Sequence, residues 1–341
     1  MTLNIVIGSY LEPGLVDLIA ASADDVRVHY RPDLLPVPRY LCDHSAPPRE
    51  LTRAQLDDWR STAALADVFF DFDWLDPSSM PERCANLKWI QGTSAGIGGL
   101  MQRTRVDQSG IIATTAGGIH AVPLAEFALM GALYFVKGLP HLAKCKSEHH
   151  WQRYTTRQLR GMRALVVGLG GMGRQIVRQF SDQGVTVTGL GRTRALYEIE
   201  GLSALIDRSH LDEVLVDTDI LILSCPLTQE TEGMIGATQL DLLPSNAIVI
   251  NVSRGPLVDQ DALLQSLANK SLGGACLDVF VEEPLPADSQ FWDLENVIIS
   301  PHSASTVQTE NESLVQLFLE NLIHWRSGEP MRNLYDPVTG Y

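Results

Sequence analysis

Three residues whose side chains could do chemistry together each follow a short apolar run that predicts a strand: Arg254, Glu283 and His302. An imidazole exchanges protons near neutral pH, and a carboxylate beside it can orient the ring and favour its protonated form. A guanidinium can bind a carboxylate through two parallel hydrogen bonds. We expect His302 to act as general acid or base on a carbonyl or hydroxyl oxygen. Arg254 would hold a neighbouring carboxylate and polarise the carbonyl.

Each of these residues also has an ordinary structural role available. His302 follows Pro301, and a histidine in that context is commonly a turn residue. Arg254 could form an ion pair at a strand end, and Glu283 could be a loop carboxylate. The catalytic interpretation therefore depends on the three residues occurring together.

A glycine-rich turn is a candidate nucleotide site. Gly168, Gly170 and Gly173 have G-x-G-x-x-G spacing between an apolar run at 164–167 and a helix-like stretch at 174–182. In that setting the first glycine permits a tight turn, the second lets the backbone approach a pyrophosphate, and the third lets helix and strand pack closely. The pyrophosphate is expected on the N–H groups that begin the helix. A purely structural glycine turn is the alternative.

The residues after the next apolar run, at 185–190, predict which dinucleotide binds. An NAD site usually has an acidic residue there, which binds the ribose hydroxyls. This chain has Arg192, Thr193 and Arg194 instead, two guanidiniums and a hydroxyl that could bind a 2′-phosphate. We therefore expect NADP(H) to be preferred, with NAD(H) possible if the arginines are ordinary loop charges.

These residues need a framework, and apolar runs alternate with helix-like stretches along the chain, as in α/β folds with parallel sheets. Strands are predicted at 3–7, 26–30, 68–72, 87–90, 164–167, 185–188, 220–223, 247–251, 274–278 and 297–300. Helices are predicted at 13–21, 51–66, 174–182, 211–216, 259–268 and 306–325. Residues 31–49 contain five prolines and predict a loop.

Composition limits the class of protein. A chain of 341 residues with a net charge of −15 predicts a globular protein of two domains or one large unit. The acidic balance argues against nucleic acid or an anionic membrane surface as a partner. We expect a cytoplasmic protein, because the first residues lack a secretory pattern and the apolar run at 127–136 is about half of a membrane span. Reduced thiols are expected for the scattered cysteines Cys42, Cys84, Cys145, Cys225 and Cys276.

The stretch at 123–136 is apolar nearly all round. A lone surface helix does not tolerate that pattern, so the stretch is either buried within the fold or in contact with a second subunit. Both alternatives stay open, and the second makes a homodimer the expected assembly.

At 250–259, 276–284 and 299–304 the chain resembles the D-isomer-specific 2-hydroxyacid dehydrogenases, and 226–231 and 125–126 also match that family. The resemblance implies an α/β protein of two domains. A doubly wound parallel-sheet (Rossmann) cofactor domain, residues 105–302, would be inserted into a smaller, flavodoxin-like α/β substrate-binding domain built from residues 1–104 and 303–341.

The resemblance also assigns residues to the site. It implies that His302, Glu283 and Arg254 are catalytic, and that backbone N–H groups of Ser94, Ala95 and Gly96 bind the substrate carboxylate, which suits a glycine-rich nest. The family usually has an acidic residue soon after this loop, where the present chain has Gly98-Gly99. Further cofactor contacts are implied for Gly171, Met172, Cys225, Pro226 and Asp278. For Asp278 we favour a structural, hydrogen-bonding role over a cofactor contact.

The expected activity is therefore hydride transfer between NADP(H) and a pair of 2-oxo acid and D-2-hydroxy acid. Glyoxylate and hydroxypyruvate are the leading substrates, and larger 2-oxo acids such as phenylpyruvate are an alternative. A dinucleotide-sensing, corepressor-like binding protein without turnover is the alternative from another functional class.

Overall fold

A computed structural model describes residues 2–191 and 198–337, apart from the side chain of Ser79. The chain divides into two compact units, the first built from Met1–His120 with Thr306–Tyr341 and the second from Ala121–Ser305. The sequence placed the boundaries at 104/105 and 302/303. The first boundary lies later because residues 112–114 form a strand of the first sheet, so the chain leaves that unit only after it.

The strands are β1 Leu3–Ile7, β2 Val26–His29, β3 Val68–Phe70, β4 Trp89–Gln91, β5 Ile112–Thr114, β6 Arg163–Val167, β7 Thr186–Leu190, β8 Leu202–Ile206, β9 Ile220–Leu223, β10 Ile248–Asn251, β11 Gly274–Leu277 and β12 Val297–Ile299. The α-helices are α1 Pro13–Ala20, α2 Arg53–Ala63, α3 Met80–Arg83, α4 Gly98–Thr104, α5 Ala121–Val136, α6 Leu139–Ser147, α7 Gly171–Asp182, α8 Leu211–Leu215, α9 Ala237–Leu242, α10 Gln260–Ala268 and α11 Glu310–Ser327.

The first unit is built on a five-stranded sheet with strand order β2-β1-β3-β4-β5, all parallel. Its central strands are buried on both faces, and the ring of Trp89 stacks on Phe318 of α11 at 5.0 Å between ring centres. The order reverses between β1 and β3, and in open parallel sheets ligands bind outside the strand ends at that switch point.

The second unit contains a seven-stranded sheet with strand order β12-β11-β10-β9-β6-β7-β8, again all parallel. Strands β9 and β10 are wholly buried, as the continuous apolar runs at 220–223 and 247–250 predict. The buried residues Ile176, Val177 and Phe180 of α7 join the core beside the sheet. This order reverses between β6 and β9, so the glycine turn after β6 lies at the switch point.

Helix α5 is only partly covered by its own unit. Ala125, Ala128 and Ala132 are buried in the core of the second unit, whereas Val122 and Met130 are 47% and 41% exposed. Among the described helices, none is by itself long and apolar enough to cross a membrane. Helices α5 and α6 meet that criterion only as a pair, which is bent by 61°.

Candidate functional site

Consecutive strands bring the three predicted catalytic residues to one edge of the second sheet. Strands β10, β11 and β12 are adjacent and parallel, with Asn251 paired with Leu277 and Leu277 with Ile299. Arg254 follows β10, and the segments after β11 and β12 carry the glutamate and the histidine. Ligands of open α/β sheets bind at this edge.

His302 and Glu283 are in direct contact, with 2.7 Å between Nδ1 and Oε2. The other carboxylate oxygen, Oε1, accepts a hydrogen bond from the backbone N–H of Phe280 at 2.9 Å. A carboxylate can only accept, so Nδ1 carries a hydrogen and donates. Nε2 of His302 has no partner among the residues that the structure describes, and the side chain is 45% exposed. The free nitrogen can therefore donate or accept a substrate proton.

The loop that carries His302 is held by the buried Asp278. Oδ1 of Asp278 accepts hydrogen bonds from the hydroxyl of Ser300 at 2.6 Å and from the N–H groups of Ser303 and Ala304 at 3.0 Å. Its backbone carbonyl accepts the N–H of His302 at 2.9 Å. This anchoring fixes the backbone at His302, which has a left-handed φ of 53°. The carboxylate of Asp278 thus makes structural hydrogen bonds to the loop, as expected if its role is not a contact with the cofactor.

Arg254 is exposed, and its backbone is fixed by Asn251, the buried last residue of β10. The amide Nδ2 of Asn251 donates to the carbonyl of Arg254 at 2.9 Å, and its Oδ1 accepts the N–H of Ser253 at 3.1 Å. The guanidinium donates to the carbonyl of Ser253 at 2.6 Å. It forms no ion pair with any acidic residue in the described ranges, so its charge is available to an anion.

The glycine turn has the shape that a dinucleotide requires. A Cβ at Gly168, where φ is +98°, would lie 2.6 Å from the backbone of Cys225, and one at Gly173 would collide with the carbonyl of Gly168. A Cβ at Gly170 would meet nothing within 4 Å, so the space in front of the turn is open. The 12-residue helix α7 begins at Gly171, and its first N–H groups can bind a pyrophosphate. The residues present therefore fit the cofactor.

The other implied cofactor contacts have different settings. Gly171 is exposed and Met172 partly buried at the start of α7. Cys225 is buried after β9, beside the glycine turn, and burial raises the pKa of its thiol to about 11. Pro226 is exposed, and its carbonyl accepts the hydroxyl of Thr231 at 2.7 Å. Because its pKa is raised, the thiol of Cys225 stays uncharged at neutral pH.

Arg192, Thr193 and Arg194, on which the cofactor preference depends, lie outside the described residues.

Ser94, Ala95 and Gly96 form an exposed loop after β4 of the first sheet. The carbonyl of Ser94 accepts the N–H of Ala116 at 2.9 Å, and Gly92 donates to the carbonyl of Thr114 at 2.8 Å, so the base of the loop is fixed. The N–H groups of the three loop residues have no acceptor among the described residues, as an anion-binding nest requires.

Sequence reasoning missed Asn251, although it positions Arg254. An asparagine that ends an apolar run is a weak signal, because such residues also end strands without any further role. Only the hydrogen bonds on both sides of Arg254 show what this one does.

Residues 129–304 match the D-isomer specific 2-hydroxyacid dehydrogenase NAD binding domain. The chain belongs to this family. The resemblance seen in the motifs is thereby confirmed, as is the α/β fold with a Rossmann cofactor-binding domain, and a nicotinamide dinucleotide is the cofactor type of the family.

Named relatives match over part of their length. The chain is 36% identical to a glyoxylate reductase of Thermococcus gammatolerans over 164 residues, 48% of each chain. It is 42% identical to glyoxylate/hydroxypyruvate reductase B of Pectobacterium carotovorum over 127 residues, 37% of this chain and 40% of that one. The chain thus matches about half or less of the length of these two reductases.

A solved structure resembles the whole chain. The D-isomer specific 2-hydroxyacid dehydrogenase of Xanthobacter autotrophicus Py2, in complex with NADPH and MES, has a TM-score of 0.78 and 26% identity, with all of both chains covered. The likeness therefore extends to both units of the fold.

Proposed function

We infer that this protein reduces a small 2-oxo acid to the D-2-hydroxy acid, and runs the reverse reaction, with glyoxylate and hydroxypyruvate as the leading substrates. The observation that carries the proposal is the 2.7 Å contact between Glu283 and Nδ1 of His302, which leaves Nε2 free at the ligand-binding edge of the second sheet. The printed names of two relatives, a glyoxylate reductase and a glyoxylate/hydroxypyruvate reductase, support the choice of substrate.

Each residue has one task in this reaction. A bound reduced nicotinamide supplies the hydride. Protonated His302 donates the Nε2 proton to the carbonyl oxygen of the substrate, while Glu283 keeps the imidazole oriented and stabilises its charge. Arg254 binds the carboxylate and polarises the carbonyl. Ser94, Ala95 and Gly96 remain the proposed second contact for the carboxylate, and in the reverse direction neutral His302 accepts the hydroxyl proton.

A substrate panel tests this proposal. The protein is mixed with NADPH and glyoxylate, hydroxypyruvate or phenylpyruvate, and nicotinamide absorbance is followed. Faster turnover of the two small acids supports the proposal, and faster turnover of phenylpyruvate would replace it with the larger substrate class. Binding of NADPH without turnover of any 2-oxo acid would favour a dinucleotide-sensing binding protein.

NADP(H) is the proposed cofactor because Arg192, Thr193 and Arg194 stand where an NAD site has an acidic residue. The structurally similar Xanthobacter protein is in complex with NADPH, which supports the same choice.

Replacement of Arg192 tests this choice of cofactor. Arg192→Ala should raise the KM for NADPH about tenfold or more and leave the KM for NADH nearly unchanged. The matched control is Arg163→Ala at the start of β6, the opposite edge of the sheet. Equal effects of Arg192→Ala on both cofactors would refute the preference.

A homodimer is the proposed assembly. Besides Met130 of α5, the second unit exposes Leu139 and Leu142 of α6, and Trp151 is 96% exposed. The adjoining ring of Tyr154 packs on His141 of α6 at 4.6 Å, which places the tryptophan segment beside that helix. Exposed apolar groups of this kind mark subunit contacts. Sedimentation should show a dimer that Trp151→Ser weakens, and a wild-type monomer at micromolar concentration would contradict the assembly.

A further inference from the structure

The first unit contains a buried carboxylate that the proposed reaction does not use. Asp71 follows β3, is wholly buried and has a left-handed φ of 69°. Its carboxylate accepts the N–H of Phe72 at 2.8 Å and the indole N–H of Trp74 at 2.9 Å. Ser9 follows β1 and lies beside Asp71, because the N–H of Gly8 donates to the carbonyl of Phe70 at 2.8 Å. Burial raises the pKa of Asp71 above its usual range, and the nearby hydroxyl of Ser9 partly offsets that effect. Asp71 and Ser9 thus meet at the switch point between β1 and β3.

A histidine continues this chain of hydrogen bonds. Nδ1 of His44 lies 2.9 Å from the hydroxyl oxygen of Ser9, and Nε2 lies 2.8 Å from Oδ1 of Asn311. The amide Nδ2 of Asn311 faces a carboxylate oxygen of Glu12 at 2.9 Å. A carboxylate only accepts, so the amide group donates to Glu12 and its oxygen must accept from Nε2 of His44.

The hydrogen of Nε2 is thereby fixed, and one further proton remains to be placed between Asp71 and Nδ1 of His44. If Asp71 holds it, the acid donates to Ser9, which donates to His44. If His44 holds it, Nδ1 donates to Ser9, which donates to the carboxylate. Without that proton, two acceptors compete for the single hydrogen of Ser9, and one link of the chain is lost.

This chain is connected to the loop that is proposed to bind the substrate carboxylate. Phe72, whose N–H is held by Asp71, is buried, and its ring lies 3.4 Å from the place that a Cβ at Gly92 would occupy. The N–H of Asp71 donates to the carbonyl of Gln91, the last residue of β4, at 2.8 Å. Gly92 and the residues up to Gly96 follow directly, so a shift at Asp71 would be passed to the loop.

We propose that Asp71, Ser9 and His44 share one proton and act as positioning residues for the loop Ser94–Ala95–Gly96. The proposal rests on the function inferred above. The contacts stand at the ligand-binding edge of their sheet, and they join β1, β3, the proline-rich segment at 31–49 and α11.

The other charged groups near His44 come from the residue before α1, from α11 and from the segment at 31–49. Glu12 precedes α1 and is reached through Asn311. Glu310 of α11 pairs with His120 at 3.1 Å, and Asp43 pairs with Arg39 at 2.7 Å within the segment at 31–49. Each of these carboxylates has a partner of its own, although Oε2 of Glu310 is buried without one in the described structure. The hydroxyl of Ser9 lies between His44 and Asp71, so the carboxylate that shares it with His44 is that of Asp71.

Nuclear magnetic resonance of ¹⁵N-labelled histidine in the full chain tests the shared proton without any turnover. His44→Gln identifies the His44 signals. In the wild type at neutral pH Nε2 should carry a hydrogen, and Nδ1 should give the signal of a nitrogen that shares a proton. Asp71→Asn should shift the Nδ1 signal toward that of a nitrogen without a hydrogen, because an amide has no acid proton to share. The control Asp57→Asn, at an exposed position of α2, should leave the Nδ1 signal unchanged. Identical Nδ1 signals in wild type and Asp71→Asn would overturn the shared proton.

Kinetics test the positioning role. Ser9→Ala removes the connecting hydroxyl and should raise the KM for glyoxylate about tenfold, with kcat and the Kd for NADPH within about twofold. Thr104→Val, which removes a buried hydroxyl bonded only within its own helix, is the matched control and should change none of these. An unchanged KM in Ser9→Ala would refute the positioning role. Absence of turnover in the wild type would refute the proposed function, whereas the nuclear magnetic resonance signals of His44 would still decide the shared proton.

Discussion

The two units each place a histidine and a carboxylate at the ligand-binding edge of a parallel sheet, but they use them differently. In the second unit His302 contacts Glu283 directly, and its other ring nitrogen has no partner among the described residues. In the first unit both ring nitrogens of His44 are engaged, one by Ser9 and one by Asn311. A histidine with a free, exposed nitrogen can exchange a proton with a substrate, whereas one held on both sides can exchange a proton only with the groups that hold it.

The largest effect is expected at the free nitrogen. His302→Asn removes the proton donor and should lower kcat by about 10³-fold, with the Kd for NADPH nearly unchanged. Steady-state kinetics and a fluorescence titration with NADPH measure the two quantities. Near-wild-type turnover in this variant would mean that another group supplies the proton.

A smaller loss is expected when the orienting carboxylate becomes an amide. Glu283→Gln should lower kcat by about 10²-fold, because the neutral side chain stabilises the protonated imidazole less well. Its neighbour Glu282 is exposed and has no contact with the histidine in the described structure, so Glu282→Gln is the matched control. Equal activity of the two variants would remove Glu283 from the mechanism.

The third prediction concerns Arg254, which is proposed to bind the substrate carboxylate. Arg254→Lys keeps the charge but loses the two-pronged contact, so the KM for glyoxylate should rise about tenfold and kcat should fall by a similar factor. An effect on NADPH binding alone would reassign Arg254 to the cofactor.

The buried carboxylate should be visible in stability rather than in turnover. Its pKa is raised, so the folded protein binds more protons than the unfolded one between pH 3.8 and the raised value. The free energy of unfolding should therefore fall as pH rises through that window, by up to about 1.4 kcal/mol per pH unit. Asp71→Asn should flatten this slope. Urea denaturation from pH 4 to pH 8 measures it, and parallel curves for both proteins would contradict the assignment.

Much of the fold could be predicted from the sequence, because strands buried on both faces contain continuous apolar runs such as those at 220–223 and 247–250. Strand β8 was missed because it is the edge strand, and its central residues are exposed, so no burial pattern marks them. Strand β5 is the edge strand of the first sheet, and its only apolar buried residue is Ala113, so it has no apolar run. The short helices α3, α4 and α9 also lack a clear apolar period, since their few turns bury one or two residues each.

The catalytic residues and the residues around Asp71 also differ in how well the sequence predicts them. Arg254, Glu283 and His302 each stand in a recognisable motif after a predicted strand, so their residue types could be read together. Ser9 and Asp71 are separated by 62 positions (71 − 9) and stand in no motif. Nothing in the order of residues indicates that β1 and β3 are neighbours.

The amino-acid sequence by itself determined the alternation of strands and helices, the glycine turn and the residue types that end the strands. These are local properties of spacing, side-chain volume and charge. The tertiary structure alone decided which strand ends are adjacent, which ring nitrogen stays free and which carboxylate is buried. A hydrogen bond requires two groups within about 3 Å, and residues far apart in the chain reach that distance only when the sheets have formed.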